Sequence, residues 1–280
     1  MRPPTTQHCN VPADSAAPPL TSGAPVVALD GVGKTFANGV VALDRLDLDV
    51  RAGEFVSLLG PSGCGKSTAL RIIAGLSEPS SGTIAWAEAD AGAARAAGPR
   101  RIGFVFQEPT LMPWATVAAN VRLPLKLAGL KPGAPARVDA ALARVGLSGF
   151  AQSYPRELSG GMKMRASIAR ALVTEPELLL MDEPFAALDE ITRFRLNNDL
   201  LTLWQSLRKT VVFVTHSVFE SVYLSQRIVV MTSRPGRVFT ELPIEAPYPR
   251  DERFRTSADY AGYCRQVSEA LAGAITAGEG

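Results

Sequence analysis

The chain contains the segment Gly60-Pro61-Ser62-Gly63-Cys64-Gly65-Lys66-Ser67-Thr68, which matches the pattern Gly-x-x-x-x-Gly-Lys-Ser. A strand-like run, residues 54–59, precedes it, and a helix-compatible run, residues 68–73, follows it. In this context backbone N–H groups and a helix N-terminus converge on phosphate. The three glycines permit positive φ and close backbone approach. The segment therefore predicts a nucleotide site in which Lys66 reaches the β- and γ-phosphates and Ser67 binds Mg²⁺.

Two carboxylates follow an uninterrupted apolar run further along the chain. Residues 178–181 have the composition of a parallel strand buried on both faces, and Asp182 and Glu183 come directly after them. Open α/β sheets bind their ligands at the carboxyl ends of the strands. We therefore expect Asp182 to hold Mg²⁺ through water and Glu183 to polarise the water that attacks the γ-phosphate.

Two more polar side chains end strand-like runs. His216 follows one such run and Gln107 follows another. A histidine at the end of a buried strand can donate to a phosphate oxygen, although a lone histidine is more often structural. Gln107 is placed to contact Mg²⁺ or the attacking water. Gln107 thus joins Ser67 and Asp182 as a predicted Mg²⁺ ligand, and Gln107 and His216 join Glu183 as predicted catalytic residues.

The segment Leu158-Ser159-Gly160-Gly161-Met162 predicts a second anion site. Ser159 can cap the helix that is indicated by the spacing of Met164, Ile168 and Leu172 on one face. A helix N-terminus with exposed N–H groups attracts phosphate. Because this segment has no lysine of its own, it indicates that a second surface also touches the nucleotide. The alternative is an ordinary turn within one chain.

In this order, the motifs resemble those of the ATP-binding cassette (ABC) ATPases over roughly residues 26–235. The resemblance makes residues 60–68 the Walker A loop, Gln107 the Q-loop and residues 158–162 the signature. It makes Asp182 and Glu183 the Walker B motif with its catalytic glutamate, Ala187-Leu188-Asp189 the D-loop, and His216 the switch histidine. The activity that this resemblance implies is ATP hydrolysis.

The resemblance also implies a head-to-tail homodimer that holds ATP between its subunits. Ser159 and Gly161 of one chain would face the γ-phosphate that Lys66 of the other chain holds. Gly160 and Asp189 are further ATP-binding positions that it implies.

Phe36 lies upstream of the phosphate loop, where the family places an aromatic side chain that stacks on adenine. Packing in the core or on a strand surface is the alternative for this ring. Met162 departs from the commonest signature of the family, which ends in Gln. The form Leu-Ser-Gly-Gly-Met, together with residues 107–114 and 181–189, resembles the branch of bacterial importers for nitrate, aliphatic sulfonates and taurine.

That branch implies the ATP-hydrolysing subunit of an importer for a small anionic solute. Such a subunit energises a separate membrane permease, and an extracytoplasmic solute-binding protein delivers the solute. The helical subdomain of these ATPases receives a cytoplasmic helix of the permease, so the charge-free run of residues 110–117, with Trp114, is a candidate groove wall. Burial of Trp114 in the core is the alternative. The chain would lie peripherally on the cytoplasmic face of the inner membrane.

The expected fold class is α/β, a P-loop NTPase core of ABC type. An N-terminal antiparallel β subdomain is indicated by the alternation of residues 46–50, and an inserted α-helical signature subdomain by amphipathic spacing. That helical subdomain is placed at about residues 108–165. The ATPase domain is expected over residues 26–235, after a disordered leader of residues 1–25 and before a C-terminal extension of residues 236–280.

Composition restricts the class further. The net charge is +2, from 29 basic and 27 acidic residues, and no basic stripe of the kind that nucleic acid requires is present. No apolar run approaches the roughly 18 residues that span a bilayer. Cys9, Cys64 and Cys264 have no metal-binding spacing, and the helix N-terminus beside Cys64 predicts a thiol that is reactive when ATP is absent.

Two other classes are weighed against an importer. A soluble ABC ATPase acting on nucleic acid or ribosomes would have a long coiled coil between phosphate loop and signature, or two cassettes in one chain. The chain has no sustained heptads between residues 66 and 158 and a single phosphate loop. A small-molecule or protein kinase with a phosphate loop would not need the signature at residues 158–162.

Overall fold

A computed structural model describes residues 25–87, 101–130 and 132–278. The predicted leader, residues 1–25, lies outside the described residues except for Pro25, where the first strand begins. The strands are, in chain order, β1 (Pro25–Thr35), β2 (Val41–Arg51), β3 (Phe55–Leu59), β4 (Ser81–Trp86), β5 (Ile102–Val105), β6 (Leu178–Asp182), β7 (Thr210–Thr215), β8 (Arg227–Met231) and β9 (Val238–Pro243).

Helices occupy most of the remaining described residues. They are α1 (Lys66–Ile73), α2 (Val117–Leu127), α3 (Ala134–Arg144), α4 (Gly160–Leu172), α5 (Glu190–Leu207), α6 (Val218–Leu224), α7 (Glu252–Arg255) and α8 (Ala258–Ala277). Short 3₁₀ turns at Ser148–Phe150 and Pro155–Glu157 lie between α3 and α4.

A small antiparallel sheet forms the N-terminal part of the described chain. Its order is β2-β1-β4, with both outer strands antiparallel to β1. In β2 the predicted alternation is confirmed, because Leu46, Leu48 and Val50 are buried while Asp47 and Asp49 are exposed. The third strand, β4, was not predicted, since it follows α1 and joins the sheet from beyond the phosphate loop. The predicted antiparallel subdomain is therefore assembled from two separate parts of the chain.

The larger sheet has the order β5-β6-β7-β3-β8-β9. Its first five strands are parallel, and β9 runs antiparallel to β8 at the edge. All residues of β3, β6 and β7 are buried, as the uninterrupted apolar runs predict for strands that are covered on both faces. Because these strands are parallel, their carboxyl ends meet at one edge of the sheet.

Helices α2, α3 and α4 pack on one another. The amphipathic spacing that indicated this subdomain is seen in α2, where Val117, Val121 and Leu125 are fully buried. Asn120, on the same helix, is also fully buried and fixes the segment before it. Its amide donates to the carbonyls of Met112, Ala115 and Thr116, and its Oδ1 accepts from the Met112 N–H at 2.7 Å. The segment that carries Trp114 is therefore held rigidly on this helical layer.

The segment after Pro235 has more structure than its proline-rich sequence suggests. Strand β9 extends the large sheet, and α8 packs against α6, β8 and β9. Arg250 is buried between them and donates to five backbone carbonyls, those of Val222, Tyr223, Ser225, Ile244 and Ala246. The C-terminal residues thereby anchor the end of α6, the helix that follows His216.

Candidate functional site

The phosphate loop connects β3 with α1. Gly63 and Gly65 take φ values of 76° and 102°, a region that favours glycine. A Cβ on Gly65 would also lie 2.6 Å from the Ala42 carbonyl oxygen, so this glycine is required by packing against β2. Gly60 does not take a positive φ. Gly60 is required by space alone, because a Cβ there would lie 2.8 Å from Cys64 Sγ.

Lys66 is buried at the start of α1, with a relative exposure of 3%. Its ammonium donates to the carbonyl oxygens of Gly60 and Pro61, both at 2.8 Å, and lies 3.8 Å from Glu183 Oε1. The cation is thus held across the loop by two neutral acceptors and one carboxylate. Such an ammonium can exchange these carbonyls for phosphate oxygens without moving far.

Ser67 and Asp182 come together as the sequence predicts. The Ser67 hydroxyl donates to Asp182 Oδ1 at 2.6 Å, and Asp182 is buried at the carboxyl end of β6. Burial raises the pKa of Asp182, which the hydrogen bond from Ser67 opposes. Two oxygen donors of the kind that Mg²⁺ prefers therefore lie side by side next to the phosphate loop.

Glu183 and His216 form a second contact at this edge. Glu183 takes a φ of 46°, and for a non-glycine residue this conformation costs about 1–3 kcal/mol. Its N–H donates to the Val214 carbonyl, which holds the turn against β7. The Glu183 Oε2 lies 3.1 Å from His216 Nδ1, while Oε1 faces Lys66. One carboxylate therefore contacts both the cation of the loop and the imidazole.

The remaining predicted residues of the core site lie around this centre. Ser62 and Gly63 are exposed, and Pro61 and Thr68 are half-buried. Gln107 is exposed in the bend that follows β5, at the same edge of the sheet as Asp182. Phe36 is 42% exposed in the turn after β1, with Lys34 Nζ 5.7 Å from its ring centroid. Core packing of Phe36 is therefore excluded, whereas a surface ring beside a cation remains.

The signature segment lies at the start of α4. Ser159 is exposed and accepts a hydrogen bond from the Met162 N–H at 3.3 Å, so the predicted N-cap is confirmed. Gly160 is exposed, but Gly161 is buried, and a Cβ on Gly161 would lie 2.7 Å from Thr192 Cγ2. Among the described residues, no hydrogen bond or ion pair links Ser159 with Lys66. Within one chain, then, the two predicted anion sites are not joined by such a contact.

Asp189 caps α5 in the same way. Its Oδ1 accepts from the Thr192 N–H at 2.9 Å, and this hydrogen bond lowers the pKa of Asp189. The backbone N–H of Thr192 thus contacts the D-loop aspartate, and its methyl group leaves no room for a side chain at position 161. The D-loop and the signature helix are parts of one packed unit.

Two residues that contact the phosphate loop were missed by the sequence analysis. Arg234 donates to the Gly63 carbonyl from the turn after β8, and Gly236 packs so closely that a Cβ would lie 2.0 Å from the Cys64 carbonyl oxygen. The sequence offers no signal for these contacts except the turn composition of residues 233–236. The reactive thiol expected at Cys64 is wrong, because this side chain is fully buried.

The fold and this site define a nucleoside triphosphatase of the phosphate-loop class. The sequence model of the ABC transporter family matches residues 43–186. The chain belongs to the ABC transporter family, and within it to the ATP-hydrolysing subunits. The predicted family and fold class are thereby confirmed.

Relatives of this chain carry more specific names. The nitrate import ATP-binding protein NrtD of Synechocystis sp. is 44% identical over 247 residues, which cover 85% of this chain and 90% of NrtD. The aliphatic sulfonates import ATP-binding protein SsuB of Bacillus subtilis is 43% identical over 225 residues, or 80% of this chain and 85% of SsuB.

Solved structures of a cassette are similar as well. The dimeric structure of MJ0796, described as a bacterial ABC transporter cassette, gives a TM-score of 0.66 at 35% identity and covers 78% of this chain and 98% of that chain. A post-hydrolysis dimer of the same cassette, bound to ADP and Pi, gives a TM-score of 0.65 at 35% identity, with the same shares covered.

The described residues contain neither a bilayer-spanning helix nor a cluster of metal ligands. None of the described helices has the length and apolarity needed to span a bilayer. Within residues 25–87, 101–130 and 132–278, no three His, Cys, Asp or Glu side chains form a cluster that could hold a metal ion.

A stability prediction follows from the buried carboxylate of Asp182. Because burial raises its pKa, the folded chain binds the proton more tightly than the unfolded chain does. The free energy of unfolding therefore falls as the pH rises from the unfolded pKa of Asp182, about 3.9, to its folded pKa. Above the folded pKa, the whole cost of burying the charged carboxylate lowers the stability. Asp182→Asn removes the charge and keeps Oδ1 for Ser67, so its melting temperature should exceed that of the parent at pH 8.

Thermal unfolding of the nucleotide-free proteins at pH 8 and pH 3.5 measures this effect. The difference should shrink at the lower pH, where the parent is also protonated. Asp199→Asn, at an ion-paired but half-exposed carboxylate, is the control and should give no such gain. A melting temperature of Asp182→Asn at or below the parent value at pH 8 would contradict the prediction.

Proposed function

We propose that this chain is the ATP-hydrolysing subunit of a bacterial importer, which energises uptake of a small anionic solute of the nitrate, aliphatic sulfonate or taurine type. The hydrolytic part rests on one observation, the Glu183 carboxylate held between Lys66 and His216 beside the phosphate loop. The solute class rests on the identities of 44% and 43% to NrtD and SsuB.

The site residues divide the chemistry among themselves. Lys66 and the N–H groups of residues 60–68 gather the phosphates, since an ammonium and a helix N-terminus both favour negative charge. Glu183 Oε2 accepts a proton from the water that attacks the γ-phosphate, and His216 orients that carboxylate through Nδ1. Phe36 stacks on adenine, and Gln107 contacts the attacking water. Positioning and charge stabilisation then carry the reaction.

The residues present fit Mg²⁺ as part of an ATP complex. Ser67 Oγ and Asp182 Oδ1 are hard oxygen donors 2.6 Å apart, with Asp182 near the phosphate loop. Because the described residues form no larger acidic cluster, Ser67, Asp182 and Gln107 would hold the ion together with phosphate oxygens and water. When bound, Mg²⁺ would neutralise charge on the phosphates.

A head-to-tail homodimer is part of the proposal. Ser159 and Gly160 are exposed at the N-terminus of α4, which leaves N–H groups of that helix available to an anion on another chain. The dimeric form of the MJ0796 cassette supports such an assembly. Ser159, Gly160, Gly161 and Asp189 of one chain would then complete the ATP site that contains Lys66 of the other.

The permease contact is proposed at residues 110–117, which we call the Trp114 segment. Trp114 is 76% exposed, so its alternative role as a core residue is wrong. Asn120 holds this segment through hydrogen bonds to its backbone, and an exposed rigid aromatic ring is a typical interface anchor. The chain would sit peripherally on the cytoplasmic face of the membrane, and a separate extracytoplasmic protein would bind the solute.

The alternative of an ATPase acting on nucleic acid or ribosomes lacks support. The named relatives are import ATP-binding proteins, and the net charge of the chain is only +2.

The role of Glu183 is tested by Glu183→Gln. The amide keeps the shape of the side chain but cannot accept the proton, so turnover of ATP should fall by roughly 10² or more. ATP binding should persist, and the variant should accumulate as an ATP-bound dimer. Steady-state ATPase rates, nucleotide binding and gel filtration with ATP measure these outcomes. Glu241→Gln, at an exposed ion-paired glutamate on β9, is the control. Near-normal hydrolysis by Glu183→Gln would remove Glu183 from the mechanism.

Sharing of the site between chains is tested by mixing inactive variants. Lys66→Ala and Ser159→Arg damage the same nucleotide site from different chains, so a mixed dimer should contain one intact site and regain ATPase. A mixture of Lys66→Ala with the double variant Lys66→Ala/Ser159→Arg cannot rebuild a site and is the control. If demonstrated heterodimers of the first mixture hydrolyse no more ATP than the two parents, the shared site is refuted.

The Trp114 segment is tested by Trp114→Ala. Because the ring is exposed, the isolated subunit should keep its thermal stability and ATP binding, whereas loss of a core tryptophan costs about 3–5 kcal/mol. Co-purification with the permease should weaken and transport should be lost. Leu76→Ala removes another exposed apolar side chain, 62% exposed, and should change neither. Full assembly and transport by Trp114→Ala would show that the permease binds outside the Trp114 segment.

A further inference from the structure

A buried carboxylate lies next to His216 without belonging to the site described above. Glu220, in α6, is 7% exposed, and its Oε2 accepts a hydrogen bond from Thr215 Oγ1 at 2.5 Å. Thr215 is the last residue of β7 and directly precedes His216. Its Oγ1 also accepts from the Ser217 N–H at 3.0 Å. The residues on both sides of His216 are therefore tied, through one hydroxyl, to Glu220.

Arg193 connects the same carboxylate with the segment that follows Glu183. Its Nη2 donates to the Leu188 carbonyl at 2.8 Å and to the Ala186 carbonyl at 3.4 Å. Its Nε donates to the Phe185 carbonyl at 3.2 Å and lies 3.8 Å from Glu220 Oε1. One guanidinium thus holds three backbone carbonyls between Glu183 and Asp189, with its charge facing Glu220.

The environment makes this pair costly to break. Burial raises the pKa of Glu220, while the Thr215 hydrogen bond and Arg193 act in the opposite direction. Glu220 Oε1 has no hydrogen-bond partner within 3.5 Å among the described residues, and the positive charge of Arg193, 3.8 Å away, helps to compensate it. A buried charge without compensation is strongly unfavourable, and the backbone would shift to relieve it.

We propose that Arg193 and Glu220 are positioning residues, which together hold residues 185–188 and His216 in register around Glu183. This inference rests on the proposed hydrolytic function of Glu183. Neither side chain has a hydrogen bond to residues 60–68 in the described structure, so neither holds the nucleotide. Their effect is on the geometry of the Glu183–His216 contact. Displacement of a catalytic group by about 1 Å can cost on the order of 10²-fold in rate.

A purely structural ion pair would behave differently, and the chain provides one for comparison. Glu54 is 3% exposed and pairs with Arg227 through two contacts, at 2.7 and 3.0 Å. It precedes β3, at the amino end of the strand, whereas the phosphate loop leaves from the carboxyl end. Glu54→Gln therefore removes a buried, arginine-paired carboxylate at the end of β3 opposite the phosphate loop.

The experiment compares Glu220→Gln with Glu54→Gln in the purified full-length protein with ATP. Glu220→Gln should lower kcat at least about 10-fold, while KM for ATP stays within about twofold, because geometry and not binding is lost. Glu54→Gln should lower the melting temperature but leave kcat near the parent value. An unchanged kcat in Glu220→Gln, or an equal loss of kcat in both variants, overturns the proposal.

Variants at the partners keep the test decisive if Glu220→Gln folds poorly. Thr215→Val removes the hydroxyl link and should lower kcat, whereas Thr215→Ser keeps it and should restore most of the rate. Arg193→Lys keeps the charge but loses the planar guanidinium whose separate nitrogens donate to the three carbonyls. Combined with Glu220→Gln, it should lose less than the product of the single losses. Equal kcat values for Thr215→Val and Thr215→Ser, or independent losses in the double variant, overturn the proposal.

Lys66→Ala separates this inference from the proposed function. If Lys66→Ala retains the parental ATPase rate, the hydrolytic site itself is wrong, and the inference falls with it. If Lys66→Ala and Glu183→Gln abolish hydrolysis but Glu220→Gln and Thr215→Val keep the parental kcat, the proposed function stands and only the positioning role is refuted.

Discussion

Parallel pairing of β3, β6 and β7 is the constraint on which the site depends. Leu59 is paired with Thr215, and Asp182 with Val214, so the three strands end at nearly the same level. The segments that leave these ends carry the phosphate loop, Glu183 and His216. Side chains from distant parts of the sequence therefore meet without any long loop having to place them, as is general for open α/β sheets.

The strained turn at Glu183 is the local feature that converts this convergence into a contact. Its φ of 46° lies where L-residues are rarely found, and its N–H is fixed on β7 by the Val214 carbonyl. In this conformation the Glu183 carboxylate faces Lys66 with one oxygen and His216 with the other. Of the neighbouring arginine–glutamate pair, Arg193 donates to three carbonyls of the backbone that follows this turn, and Glu220 accepts from Thr215 beside His216.

Packing against neighbouring elements, as well as nucleotide binding, determines which residues can occupy several positions of the motifs. Gly161 is required by Thr192 of α5, and Gly65 by the Ala42 carbonyl of β2. Arg250 anchors the end of α6, so the C-terminal residues support the helix that begins after His216. The motifs of this chain are thus part of one packed framework, in which a change at one motif is felt by the elements behind it.

The sequence by itself determined the strands β3, β6 and β7, the N-cap of α4 at Ser159, and the family. Each rests on a local signal: apolar runs for the strands, a capping residue for the helix, and glycine spacing for the family. Tertiary structure decided the rest. The place of β4 in the first sheet, the exposure of Trp114, the burial of Cys64 and the contact of Arg234 with Gly63 all depend on residues far apart in the chain. Such long-range contacts leave no periodic pattern in either partner, since each is fixed only when the sheet has formed.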